Sequence, residues 1–145
     1  MTTRLLVGLD GHSSGEKALS YAKRMAGLIG DCEIVVAYII EWSPYSFQTP
    51  EENAERHKRR EEEIGVATSR IVEPAVESLK KDGVAARGIV RHGSVADALD
   101  DIAKEEKVEQ IIVCRTSDGG IASRIFGSST VTLVTNASVP VTVIN

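Results

Sequence analysis

Five short apolar runs alternate with four stretches of helical periodicity, and this alternation constrains the fold of the 145-residue chain more than any other feature. The runs are Leu5–Leu9, Glu33–Ile40, Val84–Arg91, Ile111–Cys114 and Val139–Ile144. Runs this short, rich in Val and Ile, read as strands rather than helices. Strands that alternate with helices pair in parallel through right-handed crossovers. Helices then cover both faces of the sheet, which is why the strands are continuously apolar instead of alternating. The expected fold is α/β, in the order β-α-β-α-β-α-β-α-β, as one domain over residues 1–145. The third run is the least apolar and is expected near a sheet edge; Ile111–Cys114 is the most apolar and is expected to be central.

The helical stretches carry their own signals. Ser13-Ser14-Gly15-Glu16 fits a capping box. Behind it Ala18, Ala22, Met25, Ala26 and Ile29 fall on one face, and Gly30 suits a C-cap. From Glu51 to Glu63 the chain is dense in charge, with Glu52/Arg56 and Glu55/Arg59 spaced to pair along a solvated helix. That helix gains an apolar face at Ile64, Thr68, Ile71, Ala75 and Leu79, and Gly83 stops it. Pro74 lies inside it and is expected to kink or split it. Ser94 and Asp97 suggest a second capping box, with Val95, Ala98, Leu99 and Ile102 inward. A last short helix opens at Gly127-Ser128-Ser129-Thr130.

Composition narrows the class. Hydrophobic residues make up 42% and charged residues 26%, as in soluble globular proteins. The formal net charge of −4 argues against a nucleic-acid surface, which needs clustered bases. No apolar run approaches the ~20 residues of a membrane helix. The N-terminus lacks a signal-peptide pattern. Cys32 and Cys114 form no Cys-x-x-Cys pair, which argues against a zinc site or disulfide framework and for a reducing, cytoplasmic compartment.

In open α/β sheets ligands bind beyond the carboxyl ends of the strands, at the switch point. Here those ends carry Asp10, Gly11, His12 and Ser13; His92 and Gly93; and Arg115, Thr116 and Ser117. Gly127 to Thr130 then offer a helix N-terminus with free N–H groups and hydroxyls, which favours an anion. Asp10 is read as a ligand contact because of its switch-point position. His12 and His92 read as exposed loop histidines, His57 as solvated, and Cys114 as a buried small hydrophobe. Trp42, Tyr45 and Phe47 form an aromatic loop that suits either a lid or a partner contact. The standard phosphate-loop glycine motifs and the nucleophile elbow are absent. A phospho-receiver would need an acidic neighbour for Asp10 and a late lysine, and no lysine follows Lys107.

Taken together, Val7-Gly8-Leu9-Asp10-Gly11, Ala18-Leu19 and Ala22, Gly93-Ser94, Gly120 through Gly127-Ser128, and Val139-Pro140-Val141 resemble the universal stress proteins over the whole chain. The resemblance implies a five-stranded parallel sheet in the order 3-2-1-4-5, with the switch point between strands one and four. It implies an adenine nucleotide, ATP or AMP, with or without Mg²⁺, in a stress-response or regulatory protein. Adenine would lie near Leu9, Asp10 and Ile39, with Gly11 a further nucleotide-binding position. The phosphates and ribose would meet a motif of Gly, two residues, Gly, nine residues, Gly, then Ser or Thr. Its last pair is Gly127-Ser128, followed by Ser129 and Thr130. The two earlier glycines are replaced by Cys114 and Ser117, with Arg115 between them. Glycine lets a backbone approach phosphate closely, so the replacement leaves two readings open. One is a nucleotide-binding regulator. The other is a nucleotide-independent protein-interaction module of the same fold, with protein partners unidentified. No general base is evident beside the phosphate site, so any ATP hydrolysis would be slow. The resemblance also implies a homodimer through the apolar edge strand Val139–Ile144.

Overall fold

The computed structural model describes residues 2–11, 15–41, 49–114 and 127–145, and of Gly127, Ser128 and Ser129 the backbone alone. Strands β1 (Thr3–Leu9), β2 (Cys32–Glu41), β3 (Ala85–Gly93), β4 (Gln110–Cys114) and β5 (Val141–Ile144) form one sheet in the order β3-β2-β1-β4-β5. Every neighbouring pair is parallel. Five parallel strands with covering helices therefore meet the expectation. β3 lies at one edge, while β4 is interior, between β1 and β5, and β1 holds the centre.

Alternation along the strands divides the core into two layers. Leu5, Val7, Ile34, Val36, Ala86 and Ile112 face one side. There they meet α1 (Gly15–Ile29) and a long helical arm made of α2 (Pro50–Ala67), a π-helical turn (Thr68–Val72) and α3 (Glu73–Lys81). Leu6, Val35, Ala37, Ile39, Ile111 and Val113 face the other side, under α4 (Val95–Glu106) and α5 (Gly127–Asn136).

The helix boundaries follow local chemistry. Ala18, Ala22 and Ala26 form the buried stripe of α1; Met25 is half-buried and Ile29, in the last turn, stays 40% exposed. Gly30 ends the helix at φ +95°. α2 starts from a capping box: the Thr49 hydroxyl accepts from the Glu52 N–H, and Glu52 accepts from the Thr49 N–H. Pro50 then takes the first turn, where its missing N–H does no harm. Pro74 splits the helical arm as expected, and the form of the split is a π turn, with the Glu73 N–H reaching back to the Thr68 carbonyl. The box expected at Ser94 does not form. Ser94 is the N-cap, but its side chain caps no N–H; α4 is held instead by burial of Ala96, Ala98, Leu99, Ile102 and Ala103. The last strand is shorter than expected, because Pro140 has no N–H to give the ladder; its carbonyl still accepts from the Ile111 N–H.

Charge is organised at the amino ends of the strands on the α4 side. Glu33 accepts from Arg4 (3.1 Å) and Arg87 (3.2 Å), and Glu106 of α4 pairs with Arg87 and accepts from Arg4 through its carbonyl. Arg87 holds the Glu106 carboxyl below the usual carboxylate range. The α5–β5 turn is tied to α4 by Asp100, which accepts from the Ser138 N–H (2.8 Å) and hydroxyl (2.7 Å). No helix among the described residues is long and apolar enough to cross a membrane.

Candidate functional site

The chain runs β1 to β2 to β3 on one side and returns to place β4 on the other flank of β1. The strand order therefore reverses between β1 and β4, and a crevice is expected above their carboxyl ends. Both strands stop at the same level, since Gly8 pairs with Val113, which sets Leu9 beside Cys114. In a parallel sheet the crossover helices run against the strands, so α1 and α5 both begin at this end of the sheet.

The turn after β1 is built by packing as well as by sequence. Gly11 adopts φ +82°, and a Cβ there would lie 3.3 Å from the Tyr38 ring, 3.4 Å from its hydroxyl and 3.7 Å from Ile71. The turn is thus pressed against β2 and the π segment. Asp10 is half-buried beside the start of α1, with Oδ1 3.9 Å from a Cβ placed on Gly15. The Leu9 side chain belongs to the layer shared with α1 and α3, whereas Ile39 is buried in the layer under α4. These two side chains thus face opposite sides of the sheet. Cys114 is buried, 8% exposed, and packs with the α1 layer. Gly127 opens α5, and Thr130 is half-buried in its first turn. Of the positions that the sequence singles out, His12, Ser13, Trp42, Tyr45, Phe47, Arg115, Thr116 and Ser117, with the side chains of Ser128 and Ser129, lie outside the described residues.

A cleft of about 390 Å³ opens beside this turn, between α1 and α3. Leu9 and Gly11 form its inner wall, Glu16 and Leu19 line the α1 side, and Arg70, Ile71 and Pro74 line the other. His92 is not the exposed loop residue that the sequence suggests. It sits in β3 opposite Ile40, its side chain is 9% exposed, and Nε2 lies 2.9 Å from a Glu63 carboxylate oxygen on α2. The two-residue period of Ala86, Gly88 and Val90 would have placed it facing α2. His57 is solvated as expected, 75% exposed and 3.2 Å from Glu61. Among the described residues no group of three His, Cys, Asp or Glu side chains is placed to hold a metal ion.

Comparison with known proteins agrees with this architecture. No curated protein sequence matches the chain. UspA from Lactobacillus plantarum superposes with a TM-score of 0.80 at 20% identity, covering 99% of this chain and 97% of the other. A universal stress protein in complex with cAMP superposes at 0.63 and 20% identity, with 99% and 96% covered. The universal stress protein from Archaeoglobus fulgidus in complex with dAMP superposes at 0.61 and 18% identity, with 99% and 98% covered. At these identities the structures speak for the fold alone. The family model of the universal stress proteins matches residues 1–145, and the chain belongs to that family.

Proposed function

We propose that the protein is an adenine-nucleotide-binding regulator that works as a homodimer in the cytoplasm. The observation that carries this reading is the shared level of the β1 and β4 ends at the switch point, with the Asp10–Gly11 turn on one side and the N-terminus of α5 on the other. The backbone N–H groups of a helix start favour phosphate. Structures of the same fold in complex with cAMP and dAMP support an adenine nucleotide as the ligand. In this reading Leu9, Asp10, Gly11 and Ile39 flank the base and ribose. Cys114, Arg115 and Ser117 border the phosphates, which rest on Gly127, Ser128, Ser129 and Thr130. ATP and AMP are the forms to test, with and without Mg²⁺. Among the described residues β4 alone pairs with β5, and the other edge of that strand supports the dimer. No disulfide joins Cys32 and Cys114, which suits a reducing compartment.

One observation favours the second reading, a nucleotide-independent interaction module. Cys114 fills the end of β4 with a buried side chain where the family motif has glycine. Denaturing the purified protein and identifying released small molecules by mass spectrometry separates the two. A released adenine nucleotide supports the first. Its absence, together with a silent titration of ATP and AMP, supports the second.

A further inference from the structure

We propose that the cleft between α1 and α3 binds a zwitterionic apolar amino acid, at a second site that adjoins the proposed nucleotide site at Leu9 and Gly11. Its volume of about 390 Å³ falls within the ~300–1,000 Å³ typical of small-molecule pockets. The walls are apolar, from Leu19 on α1 to Ile71, Pro74 and Ala75 on the opposite side. Two charged residues of opposite sign complete the lining, Glu16 and Arg70. Among the described residues neither forms an ion pair. Glu16 is in the first turn of α1 and Arg70 in the turn ahead of α3. Because both helices run against the strands, the two charges lie at the same end of the cleft, the end where Gly11 sits. Ser78 lies eight residues beyond Arg70, about two helical turns deeper.

This arrangement selects a ligand chemistry. An ammonium group meets Glu16, a carboxylate meets Arg70, and an apolar side chain extends between the helices toward Ser78. A bare anion would meet the Glu16 carboxylate, and a neutral apolar molecule would use neither charge. The backbone beside Arg70 is also unusual. Pro74 has no N–H, so it donates to neither the Arg70 carbonyl, its α-helical partner, nor the Ser69 carbonyl, its π-helical one. π turns of this kind gather at functional sites. Of the carried-over nucleotide positions, Ile39 and α5 belong to the layer opposite this cleft, Leu9 and Cys114 belong to the same layer, and Leu9 and Gly11 line the cleft itself.

The test uses the full chain and L-leucine as the probe, read by calorimetry and by amide NMR shifts. Saturable binding is expected, with shifts centred on Leu19, Ile71 and Ala75. Arg70→Gln and Glu16→Gln should each weaken it about tenfold or more, and so should the analogues lacking the ammonium (4-methylpentanoate) or the carboxylate (isopentylamine). Both substituted side chains are exposed, so unchanged circular dichroism is expected to show that the variants fold. Absence of saturable binding at millimolar leucine and phenylalanine overturns the proposal, as does binding that ignores both substitutions. AMP titration of Arg70→Gln separates the two readings. Loss of leucine binding with AMP binding retained supports two sites, and loss of both overturns the second. Leucine binding in a protein that gives no nucleotide heat supports this cleft and contradicts the nucleotide reading.

Discussion

Val72 of the π turn stands on the backbone of Gly88 in β3, so closely that a Cβ at position 88 has no room beside the Val72 Cγ1 methyl. Gly88 also meets Val76 at 3.5 Å from the same virtual Cβ. The split at Pro74 and the glycine in the edge strand are therefore one packing solution: the π turn brings Val72 inward, and Gly88 makes space for it. Gly88→Ala is expected to destabilise the fold by about 1–3 kcal/mol through overpacking. Urea unfolding would measure it. Adding Val72→Ala should recover part of the loss, with a coupling of about 0.5–3 kcal/mol between the two sites. Strict additivity would contradict the contact.

Gly11 carries a different constraint. Its φ of +82° costs a side chain roughly 1–2 kcal/mol, and the added atom would press on Tyr38. Stability should fall in the order Gly11, Gly11→Asn, Gly11→Ala, because Asn tolerates the left-handed region better than Ala. Adenine-nucleotide affinity should fall in the same order, since this turn carries Asp10. Thermal melts and calorimetry on the three proteins check both trends; an Ala variant as stable as the parent would contradict them.

Acid stability should report the Glu106 pair. Hydrogen bonding to Arg87 lowers the Glu106 carboxyl from its ordinary value of 4.5. A carboxyl lowered in the folded state contributes stability above the unfolded value, and that contribution is lost as pH falls through the folded one. Glu106→Gln should therefore destabilise the protein near neutral pH and flatten the loss of stability below pH 4.5. The pair is partly solvated, so the effect should shrink in high salt. Denaturant midpoints against pH, at low and high salt, would show it.

The β5 edge allows a selective test of the dimer. Ile111 donates to the Pro140 carbonyl and sits opposite Val141, so in a parallel ladder the N–H groups of Val141 and Val143 point away from β4. Val143→Pro removes an outward N–H without removing a bond to β4. Sedimentation should find the variant a folded monomer where the parent is a dimer. A variant that remains dimeric would move the interface elsewhere.

Much of the architecture is legible in the sequence because a sheet buried on both faces requires apolar runs at every strand, and those runs are unmistakable. β3 reads as an edge strand because it is the least apolar of the five runs, with Arg87, Gly88 and Arg91 in it. The fine structure was harder. Thr49-Pro50-Glu51-Glu52 contains a full cap signal, masked in the sequence by the loop composition of residues 41–50 that it closes. Ser94 shows the reverse, a cap motif whose side chain caps nothing because burial already fixes α4. Strand alternation with Ala86, Gly88 and Val90 gives the face of β3 on which His92 lies, but its pairing with Glu63 depends on α2 folding across β3, a long-range contact. The cleft between α1 and α3 has the same origin, since Glu16 and Arg70 are 54 positions apart in the chain. The switch point itself was legible through Leu9, Asp10, Gly11 and Gly127, though the opposite facing of Leu9 and Ile39 emerges only from strand alternation in three dimensions.

Calorimetric titration of ATP and AMP into the nucleotide-free protein tests the central claim most directly. The account predicts saturable binding of at least one of them at one molecule per chain, weakened by Gly11→Ala. No heat from either at millimolar concentration would contradict it and leave the fold to work through its surfaces.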